Sequence, residues 1–146
     1  MNRKDFIRNA GYAFVGGTAA VVLLQNCATA SYFAPHVISN NQVSVKKTEF
    51  VEVKKDKTLQ RKYVLVQTTV FDFPICIYKL SEQNYTALLL KCTHKGCELK
   101  PHGDYLSCPC HGSEFSNTGV VLNPPAEENL KVFQVKTDQA NIYVQL

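Results

Sequence analysis

An all-β domain is the fold this chain predicts, on three observations. Short runs rich in β-branched and aromatic residues recur from residue 43 to the C-terminus, turn-forming residues separate them, and no amphipathic stretch of useful length with a 3.6-residue period follows residue 31. The architecture that fits is a small antiparallel sandwich or barrel. Val43–Val53 opens it, with apolar–polar alternation clearest in Phe50-Val51-Glu52-Val53. Lys62–Thr69, Phe73–Leu80 and Thr86–Cys92 follow, interrupted by turns such as Ser81-Glu82-Gln83-Asn84. Leu130–Lys136 and Asn141–Leu146 close the chain on either side of Thr137-Asp138-Gln139. Val64, Leu65, Val66, Ile75, Ile77, Leu88, Leu89, Leu90, Val132 and Val135 are the expected core. Cys76 lies inside a strand pattern and reads as a buried free thiol acting as a small hydrophobe.

The 146 residues hold one domain with a short appendage. Hydrophobic residues at 45% and charged residues at 19% describe a globular chain and exclude a disordered one. Of the formal charge of +4, much sits in Arg3, Lys4, Asp5 and Arg8; the remainder carries 13 Lys+Arg against 11 Asp+Glu. That balance excludes a strongly basic nucleic-acid surface.

The first residues read as an address. Residues 2–9 are basic and polar, and Ala10–Leu24 runs without a charge. A spanning helix needs about 17–25 apolar residues, whereas the apolar stretch of an export signal runs about 7–15. The same run could serve as a buried core helix, but Gly16-Gly17 in its middle costs about 1 kcal/mol per Gly. Leu24-Gln25-Asn26-Cys27 resembles a bacterial lipoprotein box, which implies lipidation of Cys27, although Asn26 replaces the usual small residue. Ala28-Thr29-Ala30 offers an ordinary A-x-A cleavage pattern instead. Arg3-Lys4-Asp5-Phe6-Ile7 resembles a twin-arginine export signal with Lys in the second place. Residues 1–27 are therefore expected to be an export or lipoprotein signal and anchor, residues 28–42 a linker, and residues 43–146 the domain, exposed on the outer face of a bacterial cytoplasmic membrane.

One region, from Cys92 to about Asn129, breaks the strand pattern. Cys92-Thr93-His94-Lys95-Gly96-Cys97 is followed by Cys108-Pro109-Cys110-His111-Gly112-Ser113. Each stretch offers a Cys and a His, as C-x-H and then C-x-x-H, and a structural core has no need of so many thiols and imidazoles. Two thiolates and two imidazoles converging from two loops make a four-ligand site, suited to zinc or an iron–sulfur centre. Cys97 and Cys110 stand in equivalent places beside the two pairs and could close a disulfide between the loops. A disulfide network without metal is the plainer alternative, but it leaves the matched positions of His94 and His111 as coincidence.

Cys-Thr-His-x-Gly-Cys followed by Cys-Pro-Cys-His-Gly-Ser-x-Phe resembles the high-potential Rieske iron–sulfur proteins of cytochrome bc-type complexes, tightly over residues 88–130 and loosely over 43–146. The resemblance implies a Rieske-type β-fold with an inserted cluster-binding subdomain at about 91–129. It implies one [2Fe–2S] cluster, with Cys92 and Cys108 on one iron and His94 and His111 on the other. It also implies a Cys97–Cys110 disulfide, which the ferredoxin-type Rieske domains of dioxygenases lack. Replacing two thiolates by neutral imidazoles makes such a centre less negative and places its potential at about −150 to +300 mV, against roughly −400 mV for an all-Cys plant-type centre.

Further roles come with the same likeness. Ser113 matches the family serine whose hydroxyl donates to a bridging sulfur. Phe115 stands where the bc-type family usually has a sulfur-bonding Tyr, which implies a potential in the low part of the range and menaquinol rather than ubiquinol; Phe115 acting only as packing is the alternative. Gly96 and Gly112 are placed where backbone turns tightly around the cluster. Gly119–Ala126 resembles the family's proline-containing cover loop, with Asn123-Pro124-Pro125 where Gly-Pro-Ala is usual. His102, between the two loops, reads as a solvated surface residue. His94 and His111 are the expected proton-coupled entry point for an electron from quinol, and a c-type cytochrome the expected acceptor, with a b-type cytochrome as neighbour. The competing functions are the small Rieske subunit of another exported oxidoreductase, such as an arsenite-oxidase-like enzyme, and a structural zinc module.

Overall fold

The computed structural model describes residues 31–146, so the expected export segment and Cys27 lie outside the described residues. The strands are β1 (His36–Ser39), β2 (Gln42–Lys46), β3 (Val51–Lys54), β4 (Lys57–Gln60), β5 (Tyr63–Val66), β6 (Ile75–Lys79), β7 (Tyr85–Leu89), β8 (Lys100–His102), β9 (Tyr105–Ser107), β10 (Glu114–Ser116), β11 (Val121–Asn123), β12 (Val132–Phe133), β13 (Val135–Thr137) and β14 (Asn141–Gln145). They form three antiparallel four-stranded sheets, ordered β1-β2-β14-β13, β12-β7-β6-β5 and β11-β10-β9-β8, together with the β3–β4 hairpin. The all-β prediction holds, as does an inserted subdomain: β8–β11 and the loops around them occupy the expected span. Among the described residues no helix is long and apolar enough to cross a membrane.

The central sheet explains the continuous apolar runs of the sequence. Val64, Val66, Ile75, Ile77, Ala87 and Phe133 point to one side, where they pack with Val43, Val45, Phe50, Ile142 and Val144 of the first sheet and its 3₁₀ turn. Leu65, Cys76, Tyr78, Leu88 and Leu90 point to the other side and pack with Leu99, Leu106, Phe115, Ala126 and Leu130 of the inserted subdomain. A strand covered on both faces loses the apolar–polar alternation and reads as an unbroken hydrophobic run. The molecule is therefore three layers: a base sheet, a central sheet shared by two cores, and the inserted subdomain. Cys76 is fully buried in the second core, and burial pushes its thiol well up from its ordinary value while the Tyr78 hydroxyl acts against the shift.

Three expectations need correction. Residues from Tyr32 onward are part of the folded body rather than linker, because their backbone groups find partners there. Leu65 donates to the Tyr32 carbonyl, Ala34 donates to the Leu65 carbonyl, and β1 pairs along its length with β2. The expected strand Val43–Val53 breaks at a 3₁₀ turn, Lys47–Phe50, that buries Phe50. Val132 is 52% exposed rather than core. It sits opposite Leu88 on β12, a two-residue edge strand from which the chain crosses at Gln134 to the base sheet, so only Phe133 is covered.

Candidate metal centre

Both cysteine–histidine stretches fold as loops with the same backbone bonding. In the first, Gly96 donates to the Cys92 carbonyl at 2.8 Å and Cys92 donates to the Cys97 carbonyl at 2.8 Å. In the second, Gly112 donates to the Cys108 carbonyl at 3.0 Å and Cys108 donates to the Ser113 carbonyl at 2.8 Å. In each, then, the leading Cys takes bonds from four residues on and gives one to five residues on. The closure requires a left-handed residue at the fourth step, and glycine supplies it: φ is +74° at Gly96 and +78° at Gly112. The histidines enter at different offsets from these frames, two residues after Cys92 and three after Cys108.

Fully buried apolar side chains pin the loop ends. Leu90 and Leu99 flank the first loop, Leu106 and Phe115 the second, and all four belong to the second core together with Cys92 and Cys108. The Cys97–Cys110 disulfide joins the loops, with its Cα atoms 6.5 Å apart, as the resemblance implied. The sulfur of Cys108 lies within 4.8 Å of both disulfide sulfurs. A disulfide sulfur has no thiolate to offer, so within that trio only Cys108 is free to ligate.

The donors come together in pairs, one of cysteines and one of histidines. Cys92 and Cys108 are both buried in the second core. Burial pushes the Cys92 thiol up, the Cys108 thiol adds to this, and the His94 and Lys95 amides aimed at its sulfur pull the other way. Those amides are the donors that a metal-bound thiolate would keep. The imidazoles of His94 and His111 lie edge to face with ring centroids 5.0 Å apart. Nδ1 of His94 is buried without any hydrogen-bond partner. An orphaned buried nitrogen costs about 1–3 kcal/mol, a penalty that a metal bond at that atom removes. Two thiols and two imidazoles so arranged fit a [2Fe–2S] centre in which His replaces Cys on one iron.

A third segment clasps both loops. After β11 the chain passes through a cis Pro124–Pro125 bond to Ala126, whose amide donates to Ser113 Oγ at 3.0 Å. Asn123 Nδ2 donates to the Gly112 carbonyl, and Thr93 Oγ1 donates to the Glu128 carbonyl at 2.7 Å. The Asn-Pro-Pro variant of the cover loop thus reaches both loops. Ser113 is fully buried and uses an acceptor lone pair on Ala126, so its own hydrogen remains available. Phe115 is fully buried on β10. His102 is exposed and stacks on Tyr105, with ring centroids 5.3 Å apart, away from the four-donor set. Sequence reasoning missed Thr93 and placed Asn123 and Ala126 only within the cover loop, because each of the three contacts has a main-chain atom as one partner.

Comparison with known proteins adds to this geometry. The family model of the Rieske [2Fe–2S] domain matches residues 49–134, more than half of the chain. A cytochrome b6-f complex iron-sulfur subunit of Chlorobaculum tepidum is 33% identical over 63 residues, covering 42% of this chain and 35% of that protein. The cytochrome b6-f complex iron-sulfur subunit 1 of Nostoc sp. is 38% identical over 53 residues, covering 35% of this chain and 30% of that protein. The aligned part is thus about a third of the length of these curated relatives. Among solved structures, the cyanobacterial plasma membrane Rieske protein from Synechocystis PCC 6803 superposes with a TM-score of 0.52 at 28% identity, over 58% of this chain and 87% of that one.

Proposed function

The chain belongs to the Rieske [2Fe–2S] domain family and has that family's cluster as its cofactor; on this premise we propose that it is the electron-transfer subunit of a membrane quinol:cytochrome c oxidoreductase of the bc type, working with menaquinol. The observation that carries the reading is the Cys97–Cys110 disulfide between the two loops, a feature of the bc-type class that ferredoxin-type domains lack. The cytochrome b6-f subunits among the relatives support the same assignment.

In this reading Cys92 and Cys108 hold one iron and His94 and His111 the other. When bound, the cluster supplies a one-electron acceptor and donor. His94, with Nδ1 turned inward, leaves Nε2 on the solvent side, and exposed His111 presents its ring beside it. With Nδ1 given to the iron and Nε2 deprotonated, either ring would accept a hydrogen bond from a quinol hydroxyl at Nε2 and take its proton there. Ser113, held in place by the Ala126 amide, would have its remaining hydrogen free to donate to the cluster. Phe115 excludes water from that wall and offers no donor, which keeps the potential low and suits a low-potential quinol. Partners are then a b-type cytochrome at the quinol site and a c-type cytochrome as acceptor, with the domain tethered through the N-terminal segment to the outer face of the membrane.

The test is a redox titration by electron paramagnetic resonance of the cluster-loaded full chain, followed by turnover with menaquinol and ubiquinol analogues in the presence of its co-purifying cytochromes. A rhombic reduced signal of Rieske type with menaquinol-linked cytochrome c reduction is the expected result. A silent protein that takes up zinc and no iron, or a Rieske signal in a protein that co-purifies with a molybdenum enzyme, overturns the assignment.

A further inference from the structure

Neither core nor the metal centre uses the composition of the β3–β4 hairpin. It has its own two-stranded sheet, turning at Lys55-Asp56, both in the left-handed region with φ of 45° and 63°. Residues directly opposite each other on an antiparallel pair share a face. Val51 lies opposite Gln60 and Val53 opposite Thr58, so one face of the hairpin carries Val51, Val53, Thr58 and Gln60 and no charge at all. That face is open: Val53 is 75% exposed, and Val51, Thr58 and Gln60 are exposed with it.

The tip has the opposite character. Lys54 lies directly opposite Lys57 on the other face, the one that carries Glu52 and exposed Leu59, and Lys55 stands between them in the turn. Like charges facing each other across a strand pair destabilise it, and among the described residues none of the three ammonium groups forms an ion pair. The hairpin is therefore amphipathic: an uncharged face bears Val51 and Val53, and the lysines of the other face and the tip have stems long enough to carry their ammonium groups to the charged border of an apolar surface.

The place of the hairpin supplies the occupant. Its root is bound to the point where the N-terminal segment enters the domain. Arg61 lies 4.0 Å over the Tyr32 ring, donates to the Val51 carbonyl at 3.0 Å and pairs with Glu52 at 3.6 Å. The Tyr32 hydroxyl donates to Glu49 at 2.6 Å beside it. Cys27 is five residue steps from Tyr32 and Leu24 is eight, at most about 18 Å and 29 Å of extended chain. Strands of four residues reach about 13 Å. A chain anchored at either position therefore holds this hairpin within reach of the bilayer, at the end of the domain where the tether enters.

We propose that the β3–β4 hairpin is a membrane-contact element, which lays its Val51/Val53 face at the acyl boundary of a negatively charged bilayer while Lys54, Lys55 and Lys57 bind lipid phosphates. This rests on the membrane tether of the preceding reading. Docking the hairpin fixes how the domain stands on its tether; releasing it frees the domain to move between partners. The contact depends on anionic lipid, since each lysine near such a surface contributes about 1 kcal/mol.

The chain contains no tryptophan, so a Val53→Trp variant carries a single indole at an exposed position. The cluster-loaded full chain is reconstituted into vesicles of phosphatidylcholine, with or without phosphatidylglycerol, using brominated acyl chains as quencher. Strong quenching only with phosphatidylglycerol is expected. Lys54→Gln, Lys55→Asn and Lys57→Gln together, on the same background, should lower the docked-to-free ratio about 100-fold and abolish the quenching; Asn suits the left-handed backbone at that position. The paramagnetic signal of the cluster should be unchanged in every variant, which reports an intact fold. A chain that floats with both kinds of vesicle while its indole stays unquenched overturns the hairpin contact alone. Indole shielding in detergent that rises with protein concentration overturns it in favour of contact between copies. A chain that does not float with vesicles overturns the tether and this proposal together.

Discussion

The base of the molecule and its inserted tip are built on different principles. Around the base core, Val43, Val45, Val64, Val66, Ile75, Ile77, Ile142 and Val144 interlock from two sheets with no polar atom among their side chains. The tip contributes far less apolar material: Leu99, Leu106, Phe115, Ala126 and Leu130 lean on the back of the central sheet, and two of the buried positions among them are the thiols Cys92 and Cys108. What the tip lacks in burial it makes up by covalent and polar closure, through Cys97–Cys110, the Ser113–Ala126 bond and the Thr93–Glu128 bond. The difference predicts that the base folds without the cofactor, whereas the tip is a ligand cage in which His94 Nδ1 is buried without a hydrogen-bond partner.

That contrast can be broken or sharpened by mutation. Cys92→Ser should remove cluster uptake completely, read as loss of visible absorbance and of the paramagnetic signal, while far-ultraviolet circular dichroism keeps the β signature of the base. Loss of both together would mean that the base depends on the tip after all. Phe133→Ala, which empties a buried site where Phe133 meets Phe71 with ring centroids 5.3 Å apart, should cost about 3–5 kcal/mol in denaturant unfolding. Its effect on the cluster signal below the unfolding midpoint should be small. The double change Cys97→Ser and Cys110→Ser should cost about 2–4 kcal/mol by the chain-entropy argument, and here the cluster should be lost at a lower denaturant concentration than the base unfolds. Ser113→Ala leaves the buried Ala126 amide without an acceptor and should cost about 1–3 kcal/mol, with a fall in cluster potential as the second readout. The smallest change expected is Phe115→Tyr. An added sulfur hydrogen bond of about 1 kcal/mol corresponds to about 40 mV for one electron, so the midpoint should rise by that order with unfolding nearly unaffected. A Phe115→Tyr midpoint equal to that of the parent would show that this wall only packs.

Much of this was legible in the residues. The runs at 64–66, 75–78 and 87–90 mark buried strands because Val, Ile and Leu have nowhere else to go, and the two cysteine–histidine stretches mark a metal site because those side chains share no other common purpose. The glycines at 96 and 112 are legible for a steric reason, since a left-handed turn is cheap for them alone. Other features left no mark. Val132 and Phe133 are equally apolar, and only the crossing of the chain at Gln134 decides which of them is covered. Tyr32–Ser39 looked like linker because Tyr32 and Ala34 find their partner far along the chain, at Leu65 in β5, while β1 pairs with β2 across the Asn40-Asn41 turn.

The sequence by itself therefore determined the fold class, the two cysteine–histidine stretches and the family, because those follow from side-chain chemistry and local spacing. The tertiary structure decided the matching backbone frames of the two loops, the clasp of Asn123, Ala126 and Glu128 over them, and the placing of the root of the β3–β4 hairpin beside Tyr32. Each of these depends on main-chain atoms or on segments distant in sequence being brought together, and main-chain groups are the same at every residue. No pattern of side chains can announce where they will meet.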